Sequence, residues 1–224
     1  SYCIASGLSI HYTDKRGLDA LYAKIRQLYT VGVRSFGLLL DDIPEDFSCP
    51  EDARRFPDFA SAHIELVNRC YAFIRSLDEG CALTVCPTVY CGRGDDIYNV
   101  KLGNNIPEDV FLFFTGRDIC SREITAAEAV YFRERTAHKP LYWDNFPVND
   151  AEMFKEMHLA PLNGREAELY RVCPGIISNC MEYFVCNKFP LSTAADYLWA
   201  PEDYEPEAAF EHALQTLLPE NEAE

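Results

Sequence analysis

No stretch of this chain approaches the roughly twenty consecutive apolar residues that a membrane-spanning helix requires. Apolar runs such as Val110 to Phe114 stop after a few positions. Basic residues are scarce: 20 Lys and Arg stand against 36 Asp and Glu, a formal net charge of −16. That balance argues against nucleic acid or an anionic membrane as a partner, and no basic patch with interleaved aromatics offsets it. A glycine-rich phosphate loop is missing too, because Gly92-Arg93-Gly94 lacks the later glycine and Leu162-Asn163-Gly164 is a turn. His11, His63, His138, His158 and His212 are scattered without HExxH spacing, so a metal site is possible but unsupported. Ser35 has no nucleophile-elbow context. The ten cysteines contain no Cys-x-x-Cys pair. Cys81, Cys86 and Cys91 lie five apart, and several cysteines sit in apolar runs where a thiol acts as a small core side chain. Reduced thiols in a reducing compartment are therefore expected ahead of disulfides, with the cytoplasm as the location. The chain opens at Ser1 without a charged-then-apolar leader, which leaves a processed or truncated N-terminus, and a lost signal peptide, open.

What is present is ample material for a core: 48% hydrophobic and 13% aromatic residues in 224 positions. That length suits one sizeable domain. Tyr2 to Ala5 reads as a short strand ending at Gly7, with Leu8 to Ile10 a loop or second extended piece. The spacing of Leu18, Leu21, Tyr22, Ile25, Leu28 and Tyr29 predicts an amphipathic helix over 18–29. The run from Val33 to Leu40 reads as a buried strand, and a Pro-rich charged loop follows to about Pro57. Further strands are predicted at 82–86, 110–114, 139–143 and 175–178. Helices are predicted at 59–77, 125–136, 193–198 and 206–217, and the tail frays from Glu220. Strand then helix, repeated, indicates a single parallel sheet of six βα units. Residues 1–200 are assigned to it, and 201–224 to an acidic C-terminal helix and tail.

The strands end in polar or aromatic residues, and in parallel α/β folds that end is where ligands bind. Asp41, Asp42, Tyr90, Thr115, Trp143, Asn145, Asp150 and Asn179 are the candidates. Paired carboxylates, amides and an aromatic floor suit a pyranose, whose hydroxyls need hydrogen-bond partners and whose C–H face needs a flat ring. Each residue has a plainer reading. Acids at a strand end often begin a solvated loop, one of them capping the next helix; Trp143 reads as core, Asn145 and Asn179 as turn formers, and Tyr90 as an ordinary rim residue.

The segments GVRSFGLLLDDI, CPTVYCG, FFTGRDICSREIT, KPLYWDNFPVNDAEM and GIISNCMEYFVCNKFPLSTAADYLWAPEDYEPEAAF, in that order, resemble the catalytic domain of glycoside hydrolase family 84, the β-N-acetylglucosaminidase or O-GlcNAcase type. The resemblance covers nearly all of the chain. It implies a (β/α)8 barrel of TIM type, of which the first two βα units, with a Gly-rich segment and a Lys that contact the sugar, have no counterpart here. It implies a retaining exo-β-N-acetylglucosaminidase acting, without metal or organic cofactor, on a GlcNAc-containing glycan or glycoprotein through an oxazoline. Asp41 matches the residue that orients and polarises the 2-acetamido group, and Asp42 the general acid and base. Those roles require Asp42 to hold a proton while Asp41 is ionised or strongly hydrogen-bonded. Side-chain alternation along an extended segment is what lets adjacent acids serve two atoms. Cys86, Tyr90, Thr115 and Trp143 match the acetamide pocket, and Asn145, Asp150 and Asn179 the residues that hold the sugar hydroxyls. Phe114 stands where the family often has Trp, and Cys180 where Pro usually follows the Asn, which bears on fine specificity. The alternative is a catalytically silent or incomplete GlcNAc-binding module of the same family.

Overall fold

The computed structural model describes residues 1–6, 9–44 and 46–218. The expectations for Gly7, Leu8 and the tail from Glu220 lie outside the described residues. The fold is α/β, with six strands in the sheet order β1-β2-β3-β4-β5-β6. The chain divides into two compact units, Ser1–Phe114 with Tyr131–Pro140, and Thr115–Val130 with Leu141–Glu224.

In the first unit β1 (Tyr2–Ala5) leads to helix α1 (Lys15–Thr30). Asp14 caps α1 by accepting the Arg16 N–H, and Leu21 and Ile25 are its buried stripe. Strand β2 (Ser35–Leu39) follows, with Phe36, Gly37 and Leu38 all buried. Burial on consecutive positions means both faces are covered, the condition for an inner parallel strand. β2 pairs in parallel with β1 and with β3 (Ala82–Cys86), Cys3 lying opposite Gly37 and Leu39 opposite Cys86. A side chain on Gly37 would collide with Cys3, which explains glycine inside a strand.

The stretch expected to be loop up to Pro57 contains helix α2 (Pro50–Arg55). Its signals are local: Pro at the first helical position, Glu51 and Asp52 in the first turn, Arg54 and Arg55 in the last. Helix α3 (Phe59–Leu77) is capped by Asp58, which accepts the Ser61 N–H at 2.9 Å. It buries Ala60, His63, Val67, Cys70 and Ile74 on one face, at the spacing of an amphipathic helix. Phe73 of α3 stacks on Tyr22 of α1 with ring centroids 4.1 Å apart. A further unexpected helix, α4 (Ile97–Gly103), starts from Asp96, which accepts the Asn99 N–H at 2.8 Å. β4 (Phe111–Phe114) pairs in parallel with β3. Helix α5 covers Ala126–Thr136.

The second unit pairs β5 (Pro140–Asp144) with β6 (Ile176–Ser178) in parallel, Asp144 opposite Ser178. Between them lie a 3-10 turn at Ala151–Met153 and the short helix α6 (Leu169–Val172). Helix α7 (Lys188–Trp199) begins five residues before the expected Thr193, running through Pro190. Proline is tolerated there because first-turn N–H groups have no partner in the helix. α8 (Pro206–Leu217) packs on α7. The core here gathers Leu162, Ala194 and Tyr197, with Phe146, Ile176 and Tyr204 against it. Both tyrosine hydroxyls are used, Tyr197 donating to the Glu166 carbonyl at 2.7 Å and Tyr204 to the Leu162 carbonyl at 2.6 Å.

Helix α4 sits hard against the end of α5 in the first unit. A Cβ on Gly103 would clash with the carbonyl oxygen of Thr136, a backbone atom that cannot rotate away. Gly103→Ala is expected to lower unfolding free energy by about 2 kcal/mol through overpacking. Urea denaturation of parent and variant checks it, and equal midpoints with equal slopes would rule out the tight approach.

Candidate active site

Strand β2 ends at Leu39, and Leu40, fully buried, makes one more sheet-like bond by donating its N–H to the Cys86 carbonyl at 2.9 Å. The chain then leaves the core on Asp41 and Asp42. Asp41 is half-buried and Asp42 exposed. Asp42 has φ 51°, the left-handed region, so simple extended alternation does not orient it. Asp is among the residues that tolerate this conformation, and a cost of this kind is commonly found where function fixes the backbone.

The two acids meet different neighbours. Burial pushes the Asp41 carboxyl above the usual carboxylate range; Asp42 beside it adds to the rise, while hydrogen bonds from its own backbone and from the Cys86 thiol work against it. The Cys86 thiol is itself pushed up, by burial first and then by Asp41, so it stays a neutral donor. Tyr90 donates its hydroxyl to Asp42 Oδ1 at 3.1 Å. Burial, helped by Asp42, raises the Tyr90 phenol to about 12, so it keeps its proton throughout the working range. The structure thus brings Asp41 beside Cys86 and Asp42 beside Tyr90. The rise falls on Asp41, the acid that the expected division of labour wanted ionised or strongly hydrogen-bonded.

The loop from Pro87 to Tyr90 is held from beneath. Thr88 Oγ1 donates to the Leu40 carbonyl at 2.7 Å, and the Thr88 N–H donates to the Tyr98 hydroxyl at 3.2 Å. Asn99, fully buried, donates to the Val89 carbonyl at 2.7 Å. Thr88, Tyr98 and Asn99 were not among the sequence candidates. Their partners lie far away in the chain or are backbone atoms, so no motif signals them.

In the second unit Thr115 is buried, its hydroxyl donating to the Asp118 carbonyl at 2.8 Å. Trp143 lies half-buried on β5, opposite Ile177, and Asp150 is exposed just before the 3-10 turn. Asn145 and Asn179 are joined directly: Asn179 Nδ2 donates to Asn145 Oδ1 at 2.9 Å, and Asn145 Nδ2 donates to the Ile119 carbonyl at 2.8 Å. Each amide nitrogen has two N–H donors, and these two bonds use one on each. Asp144 anchors this strand end. It is buried and forked by Arg165, Nε to Oδ2 at 2.8 Å and Nη2 to Oδ1 at 2.5 Å. Removing one partner of such a buried pair costs about 3–5 kcal/mol. The Asp144 carbonyl also accepts the Asn179 N–H at 2.8 Å, tying the two amide-bearing strand ends.

Among the described residues, His11, Cys49 and Asp52 bring possible metal-ligand atoms within 4.8 Å of one another. The Asp52 carboxylate is already engaged there by the Tyr12 N–H, the Thr13 N–H and the Thr13 hydroxyl, at 2.6 to 2.9 Å. Asp52 is therefore the structural clasp of the 11–13 loop. None of the ten cysteines is in a disulfide. Among the described residues, no helix is long and apolar enough to cross a membrane.

A family model described as beta-N-acetylglucosaminidase matches residues 1–224. The Protein O-GlcNAcase of Rattus norvegicus is 29% identical over 202 residues, which is 88% of this chain and 22% of the relative. That of Mus musculus gives the same figures. A solved structure of a mutant O-GlcNAc hydrolase from Thermobaculum terrenum is 32% identical, with a TM-score of 0.95 over 99% of this chain and 48% of that one. The chain thus spans 22% of the length of the curated relatives it matches.

The rise at Asp41 has a consequence for stability. A carboxyl whose pKa is higher folded than unfolded binds its proton more tightly in the native state, so stability falls as pH climbs from the ordinary carboxylate range through the raised value. Asp41→Asn removes that penalty. The variant is expected to melt higher than the parent at neutral pH, the advantage shrinking as pH falls through the raised value and vanishing below the ordinary carboxylate range. Thermal melts across pH 3 to 8 test the sign, and a variant that melts lower at pH 7 contradicts it.

Proposed function

The chain belongs to the beta-N-acetylglucosaminidase family, and from that premise we propose that it is a retaining exo-β-N-acetylglucosaminidase that releases terminal GlcNAc from glycans or O-GlcNAc-modified proteins. The observation that carries the proposal is the adjacent acid pair after β2, with one carboxyl raised by burial beside a thiol and the other exposed beneath a phenol. In this reading the six βα units form part of a (β/α)8 barrel, the acidic helix α8 follows them, and the natural substrate carries a terminal β-linked GlcNAc. Ten cysteines without a disulfide fit a reducing compartment, and we place the chain in the cytoplasm.

The chemistry is substrate-assisted, one of the recognised departures from an enzyme nucleophile. Asp41 accepts the acetamide N–H. Its raised pKa makes it the stronger acceptor, and the bond gains strength as positive charge develops on the acetamide. The acetamide carbonyl oxygen attacks the anomeric carbon, and Asp42 gives its proton to the departing glycosidic oxygen as that bond breaks. Water then opens the oxazoline at the same carbon while the Asp42 carboxylate takes the water proton. Two inversions restore the β configuration. Tyr90 keeps its proton and steadies Asp42 by donating it in a hydrogen bond. Cys86, Thr115 and Trp143 are assigned to the acetamide pocket, and Asn145, Asp150 and Asn179 to the sugar hydroxyls.

The test is hydrolysis of an aryl β-GlcNAc by the intact protein and by Asp42→Asn. General acid–base catalysis is worth about 10²–10⁴-fold, and kcat is expected to fall by that order for a substrate whose leaving group needs protonation. Equal rates, or an inactive parent, overturn the assignment. Calorimetric binding of a GlcNAc thiazoline without turnover identifies a binding module instead.

A further inference from the structure

His63 has no part in that chemistry, yet it is fully buried in the middle of α3 with both ring nitrogens engaged. Nε2 lies 2.7 Å from the Tyr12 hydroxyl and Nδ1 lies 2.7 Å from the Tyr98 hydroxyl. Burial holds the imidazole far below its ordinary value, at about 3, so the ring is neutral. A neutral imidazole has one donor and one acceptor, so one tyrosine gives it a proton and the other receives one.

The surroundings allow either direction. The Tyr98 oxygen also accepts the Thr88 N–H, and the Thr88 hydroxyl lies within hydrogen-bond reach of it. With Tyr98 donating to Nδ1, Nε2–H donates to the Tyr12 oxygen; with Tyr12 donating to Nε2, Nδ1–H donates to the Tyr98 oxygen and the Tyr98 O–H turns to the Thr88 hydroxyl. Either way Tyr98 joins His63 to Thr88.

We infer that His63 is a positioning residue for the acid pair, acting through Tyr98 and Thr88 on the Leu40 carbonyl and on the loop that carries Tyr90 to Asp42. Thr88 is the joint of the relay: its N–H is held by Tyr98, and its hydroxyl holds the peptide group between Leu40 and Asp41. Two residues on, Tyr90 reaches Asp42. A loosened Thr88 shifts both acids at once, because one is tied through the Leu40 peptide and the other through the Tyr90 phenol. The inference rests on the glycosidase reading for its catalytic consequence and on geometry alone for the relay.

The experiment uses Tyr98→Phe, Thr88→Val and Thr88→Ser in the intact protein, with aryl β-GlcNAc hydrolysis as the readout. Tyr98→Phe and Thr88→Val are each expected to lower kcat about tenfold with KM changed less than about twofold, since small misplacements of reacting groups are costly. Thr88→Ser retains the hydroxyl and is expected to restore most of kcat. Because the two residues act in series, the double variant is expected to lose little more than the worse single variant. A purely structural role predicts a lower melting temperature with kcat of the folded enzyme at the parent level, and that result overturns the inference, as do additive losses. ¹⁵N spectra of the imidazole provide the arm independent of activity: a neutral ring unchanged between pH 5 and 9 is expected, and titration in that range refutes the relay. A parent that does not hydrolyse overturns the glycosidase reading instead. Positioning is then decided by thiazoline affinity, which Tyr98→Phe and Thr88→Val must weaken for the inference to stand.

Discussion

One hydrogen bond, from Thr88 Oγ1 to the Leu40 carbonyl at 2.7 Å, holds the point where β2 stops being sheet and becomes site. On one side the Leu40 N–H still donates to the Cys86 carbonyl in the manner of the strand. On the other, the chain turns into Asp41 and then into Asp42 with positive φ. Up to Leu40 the backbone is specified by sheet pairing and two-sided burial. Beyond it the backbone depends on a side-chain hydroxyl, so the geometry of the acids is only as firm as the loop that bears Thr88.

That loop is firm because a short helix lies under it. α4 has seven residues, too few to be stable alone, and it is held by tertiary contacts. Lys101 pairs with Asp58 at 2.6 Å, Gly103 packs on the Thr136 carbonyl, and the Gly103 carbonyl lies 3.0 Å from His138 Nε2. From this platform Tyr98 takes the Thr88 N–H and Asn99 supplies the Val89 carbonyl with a donor. Two consecutive residues of one turn thereby satisfy consecutive backbone groups of the loop, which could not otherwise be buried cheaply. The buried Asn99 Oδ1 has no partner among the described residues, a local cost accepted for that arrangement.

The elements written most plainly in the sequence are those with a strong period and clear ends. α3, β3 and α8 fall at 59–77, 82–86 and 206–217 as expected, because their apolar spacing and the Asp58 and Pro206 start signals agree. α2 and α4 escaped because six or seven residues are too few for a 3.6-residue period to register. At the site, the acid pair was legible from its place after a buried apolar run. The relay beneath it was not: Tyr12 to His63 spans 51 positions and Thr88 to Leu40 spans 48. Nor was the Asp144–Arg165 fork, since a lone Arg 21 residues from an acid carries no pattern.

Around the acids, burial does more than shape a pocket. It raises the Cys86 thiol and takes the phenols of Tyr90 and Tyr98 to about 12, while it drives His63 down to about 3. The Cys86 thiol, the Tyr90 and Tyr98 phenols and the His63 imidazole are therefore all neutral near pH 7. In a chain with a formal charge of −16, a fixed cation beside the acids would favour their ionised forms and hold both as carboxylates. Neutral donors orient a carboxyl without committing it to one charge state. An acid that must give up a proton and then recover one within a single turnover needs that latitude, and desolvated thiol, phenol and imidazole are the groups that can provide it.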